Sequence, residues 1–483
     1  MTASLGLLIF GLNCYVMLGF FRRCFHRGRA TQASLEEAFQ QRVAREGDAF
    51  LPVITTQIAL FNEMNVAERV LRACAAMEYP ADRHEIQVLD DSNDETIALV
   101  DRVAAELREE GHDIQVIRRA IREGYKAGAL GDGLEVARGE FVAIFDSDFV
   151  PPKDFLLRAL PHLLEDPGIG LAQGRWGHLN AEDSLLTRAQ ALGVDGHFAI
   201  EQSARAWNHL FLNFNGTAGL WRKQAIQDAG GWQSDTLTED MDLSYRSQLA
   251  GWRLEYVPDL VVPAELPSTF TAFKSQQFRW AKGSIQTARK VLPKVFAARV
   301  PLIKKIQSIF HLTHYLVHPL MLTVSLLALP LLLTKGGELV PTFFFILLAS
   351  PLIPATLAPS LLYLVSQRTL YPRSWLQRAA LIPGLMVVGF GICLSNSRAV
   401  WEALSGKKSG FIRTPKAGEK RLKNYRAGSS IAPALETMLG LYCTATFVLY
   451  VGFGQVWIAP FLLLYAAGFL LVGSASLRES LIG

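Results

Sequence analysis

Asp146-Ser147-Asp148 follows an unbroken apolar run, Phe141-Val142-Ala143-Ile144-Phe145. On an extended strand end, alternate side chains point the same way. Asp146 and Asp148 can therefore approach one hard cation together. Mg2+ or Mn2+ is commonly held by one or two carboxylates plus diphosphate oxygens. Such an ion would neutralise charge building on a departing nucleotide diphosphate. Two other apolar runs also end in acids: one leads into Leu60-Phe61-Asn62-Glu63, the other into Asp90-Asp91-Ser92-Asn93-Asp94. Asp, Asn and Ser end strands for turn reasons alone. Three acidic ends in strand order ask for more. Carboxylates gathered in one crevice repel unless a cation or a sugar–base ligand relieves them.

Two later segments carry further chemistry. In Thr238-Glu239-Asp240-Met241-Asp242, a carboxylate can act as general base, because a hydroxyl is a poor nucleophile until its proton is accepted. The same residues also suit a helix start, with Thr238 as cap and acids at the positive end. Gln276-Gln277-Phe278-Arg279-Trp280 lies on a helical stretch. Gln276 shares a face with Arg279 and Trp280 at i+3 and i+4. Arg can bind diphosphate and Trp can stack on a sugar ring. An amphipathic helix on a membrane surface fits the same pattern.

The elements that must position these residues alternate. Val53–Leu60, Glu85–Leu89, Ile114–Ile117 and Phe141–Phe145 have strand length and composition. Val66–Ala76, Glu95–Glu109 and Ala127–Val136 have helical spacing. This order predicts an α/β, Rossmann-like domain with a mostly parallel sheet and ligands at the strands' carboxyl ends.

Half of the 483 residues are apolar, and they concentrate outside this domain. The net charge of +4 gives no argument for nucleic acid. The five cysteines (14, 24, 74, 393, 443) have neither paired nor zinc-ligand spacing. Ser4–Phe21 is an apolar run followed by Arg22, Arg23, His26, Arg27 and Arg29. Charge after the run, not before it, predicts an uncleaved span with its N-terminus outside and the next domain cytosolic. Further apolar runs lie near 309–333, 340–365, 379–395, 432–452 and 455–472. The segments 366–378 (Arg368, Arg373, Arg378) and 398–426 (nine Lys or Arg) both favour the cytosol. A span between them would separate them, so 379–395, holding Pro383, Gly384, Gly389 and Gly391, is expected at the interface. Five spans and an internal C-terminus result; six spans with one basic loop outside is the alternative. His311, His314 and His318 share a helical face, and lining a polar channel or packing between helices suits them better than a metal. Glu436 is expected to reach the interface.

Taken in order, the blocks resemble the family-2 inverting glycosyltransferases, and among them the processive cellulose-synthase-like mannan and glucomannan synthases. The residues that carry the resemblance are Ile86-Gln-Val-Leu-Asp-Asp-Ser92, Gly124-Tyr-Lys-Ala-Gly-Ala129, Phe214-Asn-Gly-Thr-Ala-Gly219, Thr238-Glu-Asp-Met-Asp-Leu243, Glu265-Leu-Pro-Ser-Thr-Phe270 and Gln276-Gln-Phe-Arg-Trp280. The resemblance implies a GT-A-type catalytic domain and a Mg2+ or Mn2+ cofactor. It implies a nucleobase pocket lined by Phe61, Asn62, Glu63, Asp90 and Asp91, with Lys126 by the nucleotide. Asp146 and Asp148 would hold diphosphate and metal. Asp240, with Glu239 beside it, would deprotonate the acceptor. Phe214, Asn215 and Gly216 would lie where the acceptor enters. Gln276, Arg279 and Trp280 would hold diphosphate and the terminal sugar.

Phe411-Ile412-Arg413-Thr414-Pro415-Lys416 is similar to the family's gating loop, with Phe411, Thr414 and Lys416 at the matching places and Arg and Pro between them. A basic juxtamembrane loop drawn to anionic lipid is the reading without the family. The expected organisation is an N-terminal span and flank (1–30), a cytosolic GT-A domain (45–266), interfacial helices carrying Gln-x-x-Arg-Trp (267–306) and a membrane region (307–483). The last contains an interfacial helix (374–404) and the gating-like loop (405–427). The implied activity is hexose transfer from UDP-glucose or GDP-mannose to a growing β-linked glucan, mannan or glucomannan, with export through the spans. The alternative is a non-processive transferase acting on a membrane lipid. A transporter or sugar receptor would leave Asp146, Asp148 and Asp240 without a task.

Overall fold

The computed structural model describes residues 2–334, 346–347, 350–407 and 432–482. One part of it is built on a seven-stranded sheet of order β3-β2-β1-β4-β6-β5-β7. The strands are β1 (Ile54–Leu60), β2 (His84–Asp90), β3 (Asp113–Ile117), β4 (Phe141–Asp146), β5 (Ile169–His178), β6 (Gly219–Arg222) and β7 (Arg253–Ala264). β1 runs parallel to β2 and β4, and β2 to β3, whereas β6 runs against both β4 and β5. The four strands expected from sequence are present within a residue or so of their predicted limits. β1, β2 and β4 are almost wholly buried, as strands with helices on both faces must be. Ile54, Ile58, Phe141 and Phe145 face one core, and Leu89, Val142 and Ile144 face the other.

Strand register does the positioning. Leu60 pairs with Asp90, and Ala59 pairs with Asp146. The three acidic strand ends therefore lie side by side along one edge of the sheet.

Helix α1 (Thr2–Glu46) is one uninterrupted helix of 45 residues. At 1.5 Å per residue it is about 67 Å long, roughly twice the hydrocarbon thickness of a bilayer. The sequence placed a boundary near residue 30; the helix continues, because residues 30–46 are mostly good helix formers with contacts of their own. Gln32 donates to the Tyr256 carbonyl at 2.7 Å, and Arg158 of the sheet domain pairs with Glu36 at 2.8 Å.

Among the described residues four helices, Thr2–Glu46, Leu302–Thr334, Ala432–Gly452 and Ala459–Leu481, are long and apolar enough to cross a membrane, which marks the chain as a membrane protein. The expected span at 340–365 falls partly outside the described residues; its described part belongs to the helix Leu352–Leu370. The stretch expected at the interface, 374–404, is a pair of helices bent by 47° between Gly391 and Cys393. Glu436 does not reach an interface. It is fully buried, and its Oε2 accepts from Lys274 Nζ at 2.6 Å. A lysine on a neighbouring helix offers what the aqueous interface would have offered, a counter-charge.

Candidate active site

A cavity of about 750 Å3 opens at the acidic edge of the sheet and continues between the apolar helices. Its catalytic end is lined by Phe61, Glu63, Asp91, Lys126, Asp146, Asp148, Asn215, Gly216, Glu239, Asp240, Gln276, Arg279 and Trp280. Its far end reaches Phe10 and Asn13 of α1, and Tyr363, Phe461 and Tyr465. His311, His314 and His318 all line it too.

Three expected site residues stand behind the wall. Asp90 is buried and held by Arg118 Nε at 2.9 Å. Asn62 sits at a φ of 54° and ties the two acidic loops together. Its Nδ2 donates to Asn93 Oδ1 at 2.8 Å, and its Oδ1 accepts from the Asn93 N–H at 2.9 Å. Phe214 is fully buried against Trp221. These three shape the pocket and do not line it. Asp91 does line it, but Arg119 grips both of its oxygens, at 3.0 and 2.5 Å. The Arg122 guanidinium stacks 3.5 Å from the Phe61 ring centroid and faces the same cavity.

Lys126 lies in the first turn of the helix Tyr125–Val136, whose N-cap Gly124 has a φ of 69°. Its ammonium pairs with Asp146 and donates to the Gly216 carbonyl at 2.7 Å. Burial pushes this ammonium down, but the charges of Asp146, Glu239 and Asp240 outweigh burial and the net shift is upward. Asp146 ends β4, but Asp148 is not on an extended strand as expected; it lies in a turn closed by the Phe149 N–H to the Asp146 carbonyl at 3.1 Å, and both carboxylates line the cavity. Among the described residues no group of three His, Cys, Asp or Glu gathers for a metal. Two carboxylates are the donor set that a hard cation taking its remaining ligands from diphosphate oxygens would require.

Glu239 and Asp240 open the helix Glu239–Leu249, where backbone N–H groups have no intrahelical partner. Asp240 Oδ1 accepts the Met241 N–H at 2.8 Å. Thr238 does not act as the expected side-chain cap; its hydroxyl bonds Thr287 at 3.1 Å instead. Asp240 is pushed up to about 7, first by burial and then by the Glu239 charge. Glu239 is also raised, by burial. The third acid, Asp242, points away from the cavity and is fully buried. Gly216, with φ 82°, lies so close that an added Cβ would sit 3.0 Å from Asp240 Oδ2. A side chain there would occupy the space in front of the candidate base.

Gln276, Arg279 and Trp280 project from the helix Phe270–Ala297. The helix is not only a membrane-surface element; Ala281, Lys282, Gly283, Ser284 and Ile285 are buried. Trp176, at the end of β5, lies 6.4 Å from Trp280 between ring centroids. It, Arg122, His178 and the His197–Glu201 pair line the cavity and were not picked out from sequence. β5 was not recognised as a strand, so nothing directed attention to its end. Phe411, Thr414 and Lys416 lie outside the described residues.

Residues 52–283 match the family described as Glycosyltransferase like family 2. Glucomannan 4-beta-mannosyltransferase 1 of Cyamopsis tetragonoloba is 42% identical over 293 residues, which is 60% of this chain and 55% of that protein. Glucomannan 4-beta-mannosyltransferase 2 of Arabidopsis thaliana is 45% identical over 253 residues, 52% of this chain and 47% of that protein. The chain thus spans about half the length of the curated relatives it matches. A mannosyltransferase from Pyrobaculum calidifontis, solved with GDP-Man and Mn2+, superposes with a TM-score of 0.51 at 19% identity, over 83% of this chain and all of that one. That likeness is one of fold. The sequence match agrees with the sheet order and the acidic strand ends, so residues 52–283 form a domain of the kind described as Glycosyltransferase like family 2.

Proposed function

We propose that the protein is a membrane-embedded inverting hexosyltransferase that extends a β-linked mannan or glucomannan from a nucleotide-diphosphate hexose. The observation that carries this reading is the single cavity, which joins the Asp146–Asp148 edge and Asp240 to the space between apolar helices. A transferase with a small soluble acceptor has no use for that continuation. The relatives named as mannosyltransferases favour GDP-mannose over UDP-glucose as donor.

The roles follow from position. Phe61 and Arg122 offer a stacked surface to the base. Lys126, between Asp146 and the Gly216 carbonyl, stands where a diphosphate would lie. Mg2+ or Mn2+, held by Asp146 and Asp148, would supply positive charge to the leaving diphosphate. Asp240 accepts the proton of the acceptor hydroxyl; a carboxyl poised near 7 is matched to that task at neutral pH. Arg279 faces the same acids, close enough to Glu239 to favour its charge. Trp280 offers its ring to the terminal sugar. The catalytic domain faces the cytosol, on the side of the basic flank after the first span, and the product leaves between the helices.

The test is to incubate membranes containing the protein with radiolabelled GDP-mannose and UDP-glucose in separate reactions. Label from GDP-mannose is expected in a high-molecular-weight product that a mannan endohydrolase degrades. Label that extracts quantitatively into organic solvent would overturn the polysaccharide reading in favour of a lipid acceptor.

A further inference from the structure

Of the three histidines that share a helical face, His311 has no task in the roles above. It lies near the end of the helix Leu302–Thr313 and is buried. Its Nε2 lies 2.9 Å from Asn213 Oδ1, and its Nδ1 lies 2.8 Å from the Tyr245 hydroxyl. The Asn213 oxygen can only accept, so His311 carries its proton on Nε2 and takes the Tyr245 O–H on Nδ1. Tyr245 and Asn213 are buried too. Around them the packing is apolar: Tyr245 shares a cluster with Phe211, Ala288, Val291, Val295 and Leu312. Apolar side chains could fill that space without burying polar atoms. A buried polar network does something they cannot. It admits one arrangement of its members, because any other leaves a donor or an acceptor unmet.

What this network arranges is the surroundings of the base. Tyr245 is on the helix Glu239–Leu249, five residues after Asp240. On the same helix Ser244 Oγ donates to the Asp240 carbonyl at 2.6 Å and accepts the Phe214 N–H at 2.7 Å. Gln248 accepts the Leu212 N–H at 3.0 Å and donates to the Leu212 carbonyl at 2.6 Å. The base helix and the segment 212–216 are thus one bonded unit, with Gly216 in front of Asp240. Thr238, Asp242 and Tyr245 recur at helical spacing along one face of that helix. Thr238 and Asp242 bond directly to Thr287 and Lys290, on the helix that carries Trp280. Tyr245 reaches the same helix through His311. The next residue, Leu312, accepts from Ser284 Oγ at 2.8 Å, and Ser284 is four residues beyond Trp280.

We propose that His311 is a positioning residue for the transfer step: it holds the unit bearing Asp240 and Gly216 in place against the helix bearing Arg279 and Trp280. It acts through Tyr245 and Asn213, and its role rests on Asp240 being the base. Without the imidazole the base helix stays attached at Thr238 and Asp242. Its second half and the start of the segment 212–216 lose their common anchor. The gap between Asp240 and an acceptor held at Trp280 is then no longer fixed, while Lys126, Asp146 and Asp148 keep their places.

The test measures label transfer from GDP-mannose by the full chain purified in detergent, with rates expressed per GDP-binding site. His311→Leu removes both hydrogen bonds. Its kcat is expected to fall at least about tenfold, since a misplacement set up far from the chemistry can cost about 10²-fold. Its KM for GDP-mannose is expected to stay within about twofold of wild type, the pattern of a loss confined to the transition state. His311→Gln offers one acceptor and one donor on a planar group, and is expected to recover kcat to within about threefold of wild type. A merely structural role would lower the melting temperature and the number of GDP-binding sites, but not kcat per site. If His311→Leu no longer binds GDP, Tyr245→Phe takes its place with the same expectation; it removes only the hydroxyl and keeps the ring stacked on Phe211 at 5.2 Å. Unchanged kcat per site overturns the positioning role, as does a His311→Gln variant as slow as His311→Leu. Asp240→Asn is run beside them. Turnover that survives it sinks the base assignment, whereas its loss alongside an unchanged His311→Leu sinks the role of His311 alone.

Discussion

Asp242→Asn separates two acids that differ by two positions in one motif. Asp240 faces the cavity; Asp242 is fully buried and braces the helix that carries Asp240. Asp242 Oδ2 accepts from Arg246 Nε at 2.8 Å and from Lys290 Nζ at 3.0 Å. Arg246 is 7% exposed. Breaking a buried pair by removing one partner costs about 3–5 kcal/mol, because the other charge stays buried. Here the loss falls at the lower end, about 3 kcal/mol. Arg246 keeps the carbonyls of Ala229 and Gly231, and Lys290 keeps Asp235 at 2.6 Å. For a domain of this size that corresponds to a melting temperature about 6–12 °C lower. The assay is thermal unfolding of the purified chain followed by intrinsic fluorescence. Adding Arg246→Met removes the orphaned cation and should recover at least half of the loss. Catalysis in the surviving Asp242→Asn protein should persist at low temperature. A variant that melts with wild type yet loses transfer as Asp240→Asn does would refute the brace and make Asp242 part of the chemistry.

Asp240→Asn should retain GDP binding while transfer drops by about 10²–10⁴-fold, the usual contribution of a positioned base. In wild type, kcat/KM should fall tenfold per pH unit below about 7, since the protonated Asp240 cannot accept the acceptor's proton; a flat profile from pH 5 to 8 would contradict this. Asp148→Asn should weaken Mn2+-dependent donor binding at least about tenfold, as removal of a charged ligand does, and EDTA should do the same to wild type until Mn2+ is restored. Lys274→Met should destabilise by about 3–5 kcal/mol by stranding Glu436, and the double variant with Glu436→Gln should recover most of it; equal melting of single and double variants would show that packing, not charge, dominates.

The parts of the fold that could be read in advance were those governed by periodicity. β1, β2, β3 and β4 are buried apolar runs between helical patterns, and their acidic ends fall together because parallel register brings Leu60 beside Asp90 and Ala59 beside Asp146. What periodicity does not carry is depth. Asp90 and Asp91 are consecutive, yet one lines the cavity and one is sealed behind it by Arg118. Phe214 and Asn215 divide in the same way. Trp176 escaped notice because Trp280, which it meets at the cavity, is 104 positions away. The Glu436 partner was illegible for the same reason: Lys274 is 162 positions away.

The helix Phe270–Ala297 shows why the apolar half cannot be treated as an anchor alone. It presents Gln276, Arg279 and Trp280 to the cavity, and carboxylates from three other helices hold it. Glu479 accepts the N–H groups of Phe270 and Thr271 at 2.8 and 2.9 Å, at the positive end of the helix. Glu436 pairs with Lys274 two residues before Gln276, and Glu402 pairs with Lys282 two residues after Trp280. Lys282 is wholly buried, so its pair is little screened by salt or water. Charge pairs in a low-dielectric setting are sensitive to distance, and two of them, with the Glu479 carboxylate at the N-terminus, restrict both the rotation and the slide of the helix. A shift of the helices bearing Glu402, Glu436 or Glu479 would therefore move Trp280 relative to Asp240. In the proposed mechanism, the place where an acceptor hydroxyl meets its base is set as much by those helices as by the sheet that bears the acids.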